Sequence, residues 1–148
     1  MSLTTYICPR RCAEALEWYG AVLGAVEDGE RFVDPDGRIG HAEILLGGTR
    51  LMLSDAYPDH GAVAPEEGVT ATTFALHLEV PDADASVASA HAAGAGIERP
   101  VEDQFDGTRR GKILDPFGVR WMISTQVRVV SAAELAAAAA EFGAKGAG

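Results

Sequence analysis

The chain has 148 residues, the length of one ordinary domain, and its 47% hydrophobic and 23% charged residues are typical of a globular protein. Twelve Lys and Arg against 22 Asp and Glu give a net charge of −10, and such an acidic surface argues against nucleic acid or a membrane as partner. Because the first residues do not read as a signal peptide and the two cysteines do not form a disulfide framework, we expect a cytoplasmic protein.

The first half of the chain predicts a strand, a helix and further strands. Its elements are a strand over residues 4–8, a helix over 13–23, and strands over 39–46 and 50–54. Gly24 is placed to end the helix. Residues 55–72, rich in Pro, Gly and acidic residues, exceed the usual loop length, so we interpret them as a linker or as a flap over a site.

The second half predicts a similar series of elements. They are a strand over residues 73–80, a helix that Asp82 caps and that runs to about 93, and strands over 97–101, 109–114 and 119–125. A capping box at 131–134 then opens an alanine-rich helix that we predict to end at about 142.

An internal repeat relates the two halves. Gly24-Ala25 recurs as Gly94-Ala95, Asp36-Gly37 as Asp106-Gly107, and residues 48–54 as 118–124, all at a spacing of 70. The repeat indicates two βαβββ modules, at about 3–54 and 73–125. We therefore predict an α+β fold in which the modules form a curved eight-stranded mixed sheet around a cavity, followed by the C-terminal helix.

Alternation along the predicted strands separates a face that packs against the helices from a second face. This second face carries thioether, hydroxyl, aromatic and ionisable groups, a mixture that suits a pocket for an organic ligand. The alternative is a face that is simply solvated, as in many antiparallel sheets. The candidate ligand-binding residues on this face are Tyr6, His41, Met52, Ser54, Thr73, Ala75, Met122 and Ser124.

Two pairs of ionisable residues on this face are candidates for acid/base chemistry. His41 and Glu43 are two residues apart on one predicted strand, and His77 and Glu79 repeat the arrangement on another. We take Glu43 and His77 as the candidate catalytic residues. The alternatives are structural roles, or a divalent metal held by all four side chains.

Residues 104–109 supply two further ligand-binding candidates, Phe105 and Arg109. They are predicted to lie near the entrance of a strand. Arg109 suits an anionic group of a ligand, although a solvated arginine explains the residue equally well.

Several segments are shared with one known family: Trp18-Tyr19, Val22-Leu23-Gly24-Ala25, residues 36–43, residues 100–105 and the turn Asp115-Pro116-Phe117-Gly118. With these segments the chain resembles the vicinal oxygen chelate superfamily, and in particular its glyoxalase/bleomycin-resistance-like branch. The superfamily includes glyoxalase I, extradiol dioxygenases and bleomycin-resistance proteins. The resemblance implies the duplicated fold and a homodimer, an association in which the cavities can be completed across the interface.

The resemblance also indicates where metal ligands would lie. The four positions used by the metal enzymes of the superfamily carry Thr4, Met52, Ala75 and Met122 in this chain. Because none of these is a good ligand for a divalent metal, we expect no metal and no other cofactor. The sequence therefore favours a protein that binds a small, partly hydrophobic molecule. The alternative is a glyoxalase-type lyase or isomerase that uses His and Glu as acid and base, or a relocated metal.

Overall fold

The computed structural model describes residues 1–145, which form two modules that each pack one helix against a mixed sheet. Both sheets contain one parallel strand pair and otherwise antiparallel pairs. No helix within these residues has the length and the apolar character needed to cross a membrane.

The first module forms a sheet of five strands. Its elements are β1 (Thr5–Ile7), α1 (Cys12–Leu23), β2 (Val26–Glu27), β3 (Phe32–Val33), β4 (Ile39–Leu46) and β5 (Thr49–Leu53). The strand order is β1-β5-β4-β2, β3 also pairs with β4, and β1 runs parallel to β5. As the sequence predicts, α1 ends at Gly24, whose φ of 73° is in the left-handed region that glycine adopts without strain.

The second module forms a sheet of four strands in the order β6-β9-β8-β7, with β6 parallel to β9. Its elements are β6 (Leu76–Glu79), α2 (Ala83–Ala92), β7 (Gly96–Asp103), β8 (Thr108–Leu114) and β9 (Arg120–Gln126). The Asp82 side chain accepts a hydrogen bond of 2.9 Å from the Ala85 backbone N–H, which confirms the predicted cap of α2.

The last helix, α3, spans Ala132–Lys145 and extends past the predicted end at about 142. The predicted capping box is present: the Ser131 hydroxyl accepts from the Glu134 backbone N–H, and the Glu134 carboxylate accepts from the Ser131 backbone N–H. Strands β5 and β6 are joined by a linker, residues 54–75, that contains one 3₁₀ turn (Pro58–His60).

The two modules share one hydrophobic core, and a buried carboxylate lies at the point where they meet. Asp115 accepts hydrogen bonds from the Tyr19 hydroxyl of α1 at 2.8 Å and from the Trp121 indole N–H of β9 at 2.9 Å. It also accepts from the backbone N–H groups of Phe117 and Val119. Burial raises the pKa of Asp115, although all four donors favour its ionised form.

The predicted α+β fold of two βαβββ-type modules and a C-terminal helix is confirmed, but the arrangement of the strands differs in two details. The described residues form nine strands in two separate sheets, because the edge strands β1 and β6 pair only within their own modules. The two-residue strands β2 and β3 are too short to produce an alternation that a sequence pattern can detect.

Candidate functional site

A cleft of about 500 Å³ lies between the two modules, beside β1 and the segment that leads into β6. Its walls come from β1, from linker residues 61–65 and 71–74, and from the turn before β9. Most lining side chains are small or apolar, and polar groups such as the Tyr6 phenol, the Cys8 thiol and the Thr73 hydroxyl are few. The volume and this mixture of groups are typical of a small-molecule site.

Arg10 fastens the linker to the turn between β8 and β9 on one side of this cleft. Its guanidinium donates to the carbonyl oxygens of Pro65 and Glu66 in the linker, at 3.2 and 3.0 Å, and to that of Pro116 in the turn, at 3.2 Å. Gly118 makes this close packing possible, since a Cβ there would lie 2.7 Å from Pro65 Cβ, and its φ is +89°. The wall of the cleft is therefore held by contacts between both modules and the linker.

A continuous hydrogen-bonded chain crosses the face of the first sheet. The Tyr6 hydroxyl lies 3.1 Å from His41 Nδ1, and His41 Nε2 lies 3.1 Å from Glu43 Oε1. The second Glu43 oxygen is 3.0 Å from Arg50 Nε, and Arg50 also donates to Asp28. The strand register explains this proximity, because Tyr6 and Glu43 both pair with the same residue of β5.

The Glu43 carboxylate, at one end of these hydrogen bonds, determines which ring nitrogen of a neutral His41 carries the proton. An ionised Glu43 can only accept hydrogen bonds, so the proton of a neutral ring lies on Nε2, and Nδ1 accepts from the Tyr6 hydroxyl. Tyr6, which also lines the cleft, is thus connected to a histidine that a carboxylate orients. This arrangement of a hydroxyl, a base and an orienting acid is typical of proton-transfer sites.

The face of the second sheet has a different arrangement. His77 Nε2 lies 2.7 Å from the Ser124 hydroxyl, and Met122 pairs with His77 in the strand register. His77 and Glu79 line a second cavity, of about 370 Å³, together with Thr5 and other residues beside β1 and β5. The two candidate catalytic residues, Glu43 and His77, therefore lie on different sheets, and the structure does not place them in one pocket.

The remaining candidates on the two faces occupy several positions. Met52 pairs with Tyr6 in the register, Thr73 lines the cleft, and Ala75 directly precedes β6. Ser54 is 3% exposed, and its hydroxyl lies 3.5 Å from the Cys8 thiol, so little of it is accessible to a ligand.

Phe105 and Arg109 lie away from the cleft. The Arg109 guanidinium donates to the Asp84 carboxylate of α2 at 2.6 and 2.8 Å and to Asp103 at 3.0 Å, on the side of the sheet that carries the helix. Phe105 is in the turn between β7 and β8, where its ring lies 6.1 Å from that of Phe142 in α3. Phe105 and Arg109 therefore both contact other residues of the protein, and neither lies beside the cleft.

The donor set does not fit the divalent metal that the resemblance implies. The register places Tyr6 beside Met52 and His77 beside Met122, two residues along each strand from Thr4 and Ala75. The set with Thr4 and Ala75 and the set with Tyr6 and His77 both include the thioethers of Met52 and Met122, and neither contains more than one strong ligand for a divalent metal. Within residues 1–145, no three His, Cys, Asp or Glu side chains come together to hold a metal, so the alternative set of His41, Glu43, His77 and Glu79 is not assembled in one chain.

Two arginines of this region have roles that the sequence reasoning missed. Arg50 and Glu43 form an ion pair of 3.0 Å between neighbouring strands, and a pattern of alternation along one strand does not show such a contact. Arg10 follows Pro9 in a loop, and no local pattern indicates its contacts with residues 65, 66 and 116.

Comparison with known proteins gives matches over most of the chain. The family model described as Glyoxalase/Bleomycin resistance protein/Dioxygenase superfamily matches residues 3–123. The uncharacterised protein Rv0887c of Mycobacterium tuberculosis is 34% identical over 144 residues, which are 96% of this chain and 84% of that protein.

Solved structures with the same fold are also found. The protein PA1353 from Pseudomonas aeruginosa is 26% identical, with a TM-score of 0.63 over 85% of this chain and 98% of that one. The protein TioX from Micromonospora sp. ML1 is 21% identical, with a TM-score of 0.62 over 88% of this chain and 100% of that one, which is a likeness of fold alone.

Proposed function

Since the chain belongs to the Glyoxalase/Bleomycin resistance protein/Dioxygenase superfamily, we propose that it binds a small, partly hydrophobic organic molecule in the cleft between its modules. We propose further that it does so without the divalent metal of the superfamily's metal enzymes. The observation that carries the proposal is the cleft of about 500 Å³, with its mainly apolar lining and few polar groups.

The side chains around the cleft favour a ligand with an aromatic or otherwise flat apolar part. Tyr6 is 48% exposed, so its ring has apolar surface available for stacking. The Thr73 hydroxyl and the Tyr6 phenol supply hydrogen bonds that orient the polar end of such a molecule.

A thermal-shift screen against aromatic compounds, followed by calorimetric titration of the hits, tests ligand binding. A cleft ligand should raise the Tm of the wild type and should bind much more weakly to Tyr6→Ala. Phe142→Ala is the matched control, because it removes an aromatic ring that is 72% exposed and is not part of the cleft. The proposal is wrong if no compound binds, or if all binders are indifferent to Tyr6→Ala.

Elemental mass spectrometry of protein purified without a histidine tag tests the absence of a metal. We expect no stoichiometric metal before or after incubation with Zn, Ni, Mn or Fe(II), because the donors available are poor ligands. Tight binding of about one metal per chain would contradict this part of the proposal.

A second candidate function is a proton-transfer reaction of the glyoxalase type, and the chain Tyr6–His41–Glu43 favours it. In this reaction the Tyr6 phenol gives its proton to His41 Nδ1, and Glu43 stabilises the imidazolium that forms. The phenolate then takes a proton from the hydroxyl-bearing carbon next to a substrate carbonyl, while the imidazolium gives its proton to the carbonyl oxygen, and an enediol forms. After the proton on Tyr6 has exchanged with solvent, Tyr6 gives a proton to the former carbonyl carbon and His41 takes one from the other hydroxyl, so that the isomerised hydroxy ketone forms.

Proton NMR in D₂O distinguishes this reaction from binding alone. With an α-hydroxy ketone as probe, an isomerase should exchange the proton beside the carbonyl for deuterium, and His41→Gln should abolish the exchange. His77→Gln should retain it, because His77 lies on the other sheet and bonds to Ser124. If the wild type catalyses no exchange, the second candidate function is rejected for this substrate class.

A further inference from the structure

One row of side chains crosses the whole second sheet and contains two adjacent cations. Arg99 of β7 pairs with Lys112 of β8, Lys112 pairs with Met122 of β9, and Met122 pairs with His77 of β6. Paired residues on neighbouring strands lie on the same face, with their Cβ atoms roughly 5 Å apart. Arg99 and Lys112 are therefore like charges placed directly opposite each other, an arrangement that destabilises a sheet.

The other arginine side chains are all paired with acidic residues. Every other arginine lies within 4.0 Å of a carboxylate oxygen. Among the arginine and lysine side chains that the structure describes, only Arg99 and Lys112 lack such a partner. The chain has a net charge of −10, so acidic residues are not scarce. The pair thus has unused capacity to bind an anion.

The carboxylates nearest in sequence and register do not neutralise this pair. Glu98 forms a two-point ion pair with Arg120, at 2.6 and 2.7 Å. Hydrogen bonding from Arg120, and more weakly the charge of Lys112, lowers the pKa of Glu98. Glu102 and Glu79 lie at the two ends of the neighbouring row. In that row Glu102 pairs with Arg110, Arg110 with Ser124, and Ser124 with Glu79. Neither glutamate lies within 4.0 Å of the two cations.

The backbone around Arg99 is irregular in a way that directs the side chain. The register of β7 against β8 shifts on both sides of Arg99, and Pro100 follows it. Such bulges change the direction of a side chain and are common beside functional sites. Gly111 allows β7 to approach, since a Cβ there would lie 2.9 Å from Val101 Cγ2 and 3.3 Å from the Arg99 carbonyl oxygen.

We propose that Arg99 and Lys112 bind an anionic oxygen group, a carboxylate or a phosphate, of the small organic ligand. Lys112 is half-buried on an inner strand and supplies a fixed charge, while the exposed Arg99 supplies a planar fork of donors. In the same row, Met122 offers an apolar surface, and His77 lines the second cavity, of about 370 Å³. The inference depends on the proposed function only in assuming that the ligand also has a hydrophobic part.

Inorganic phosphate, titrated by calorimetry at constant ionic strength, tests the anion site by itself. Lys112→Met and Arg99→Gln should each raise the dissociation constant for phosphate by about tenfold or more. Arg128→Gln is the matched control, because it removes the same charge from a residue that is paired with Glu134 after β9. Its affinity should equal that of the wild type. Unchanged affinity in Lys112→Met, or no phosphate binding in the wild type, would overturn the proposal.

Thermal unfolding without phosphate separates ligand binding from a structural role of the charges. Because Lys112→Met removes a like-charge contact, its Tm should equal or exceed that of the wild type. A lower Tm, or the dissociation of an oligomer in light scattering, would show that Lys112 has a partner within the protein and would refute the anion site.

Two matched probes test whether the anion site and the cleft bind the same ligand. The wild type should bind 2-naphthoate more tightly than the neutral 2-naphthamide, and Lys112→Met should bind the two equally. Equal affinities in the wild type would contradict the anion site, whatever the phosphate result. If neither naphthalene binds while phosphate binding depends on Lys112, the anion site stands and the proposed cleft ligand is wrong.

Discussion

Replacement of the buried Asp115 by alanine should have a large effect on stability. The substitution leaves four donors without an acceptor: the Tyr19 hydroxyl, the Trp121 indole N–H, and the backbone N–H groups of Phe117 and Val119. A buried donor without a partner costs about 1–3 kcal/mol, so the low end of the total is about 4 kcal/mol. This is a large part of the roughly 5–15 kcal/mol that stabilises an ordinary domain.

Urea unfolding at pH 7, followed by tryptophan fluorescence and circular dichroism, measures this loss. We expect the free energy of unfolding of Asp115→Ala to fall by about 4 kcal/mol or more, which lowers the Tm by roughly 10 °C. Asp115→Asn should lose less, because its remaining carbonyl oxygen still accepts from the backbone pair.

Asp36→Ala is the control for this experiment. Asp36 lies in a turn of similar sequence in the first module, but its hydrogen bonds to Arg38 are exposed to solvent. Asp36→Ala should therefore have little effect on the free energy of unfolding. If Asp115→Ala unfolds with the same slope as the wild type and loses less than about 1 kcal/mol, the four buried donors do not carry the stability assigned to them.

Three further predictions concern the cleft, the thiols and the assembly. Gly118→Ala should displace Pro65 of the linker and weaken binding of any cleft ligand, as measured by calorimetry; unchanged affinity would show that this wall does not contact the ligand. Iodoacetamide at pH 8 should modify Cys8, which lines the cleft, well before Cys12, because burial raises the pKa of the Cys12 thiol to about 12; mass spectrometry of the peptides would detect the opposite order. Light scattering should give twice the mass of one chain, since Phe32 is 69% exposed and is suited to an interface; a monomer at all concentrations would reject the homodimer.

The duplicated fold could be predicted because its signals are local and occur twice. Gly24, Asp82 and the capping box at Ser131 each specify one end of a helix by their own chemistry. The placement of His41 and Glu43 on one face follows from the period of a strand, and this needs no knowledge of the neighbouring strands.

Contacts between distant segments could not be predicted in the same way. The partner of Arg109 is Asp84, 25 residues earlier and on a helix, and only the packing of α2 against the sheet brings the two together. The pairing of Arg99 with Lys112 depends on bulges in β7, which no alternation of residue types indicates. The strand register also places Tyr6, rather than Thr4, beside Met52, and spacing along the sequence does not determine this pairing.

The irregular strand β7 also bears on how copies of this chain can associate. It is an eight-residue strand at the outer edge of its sheet and is exposed along most of its length, so its free backbone groups are a template for another strand. Pro100 has no N–H to donate to an added strand, and the charges of Glu98 and Arg99 disfavour the addition of another copy of β7 at this edge. In the first sheet, the edge strand β2 has only two residues. Growth into fibrils by strand addition is thus opposed at β7 and at β2, one edge of each sheet.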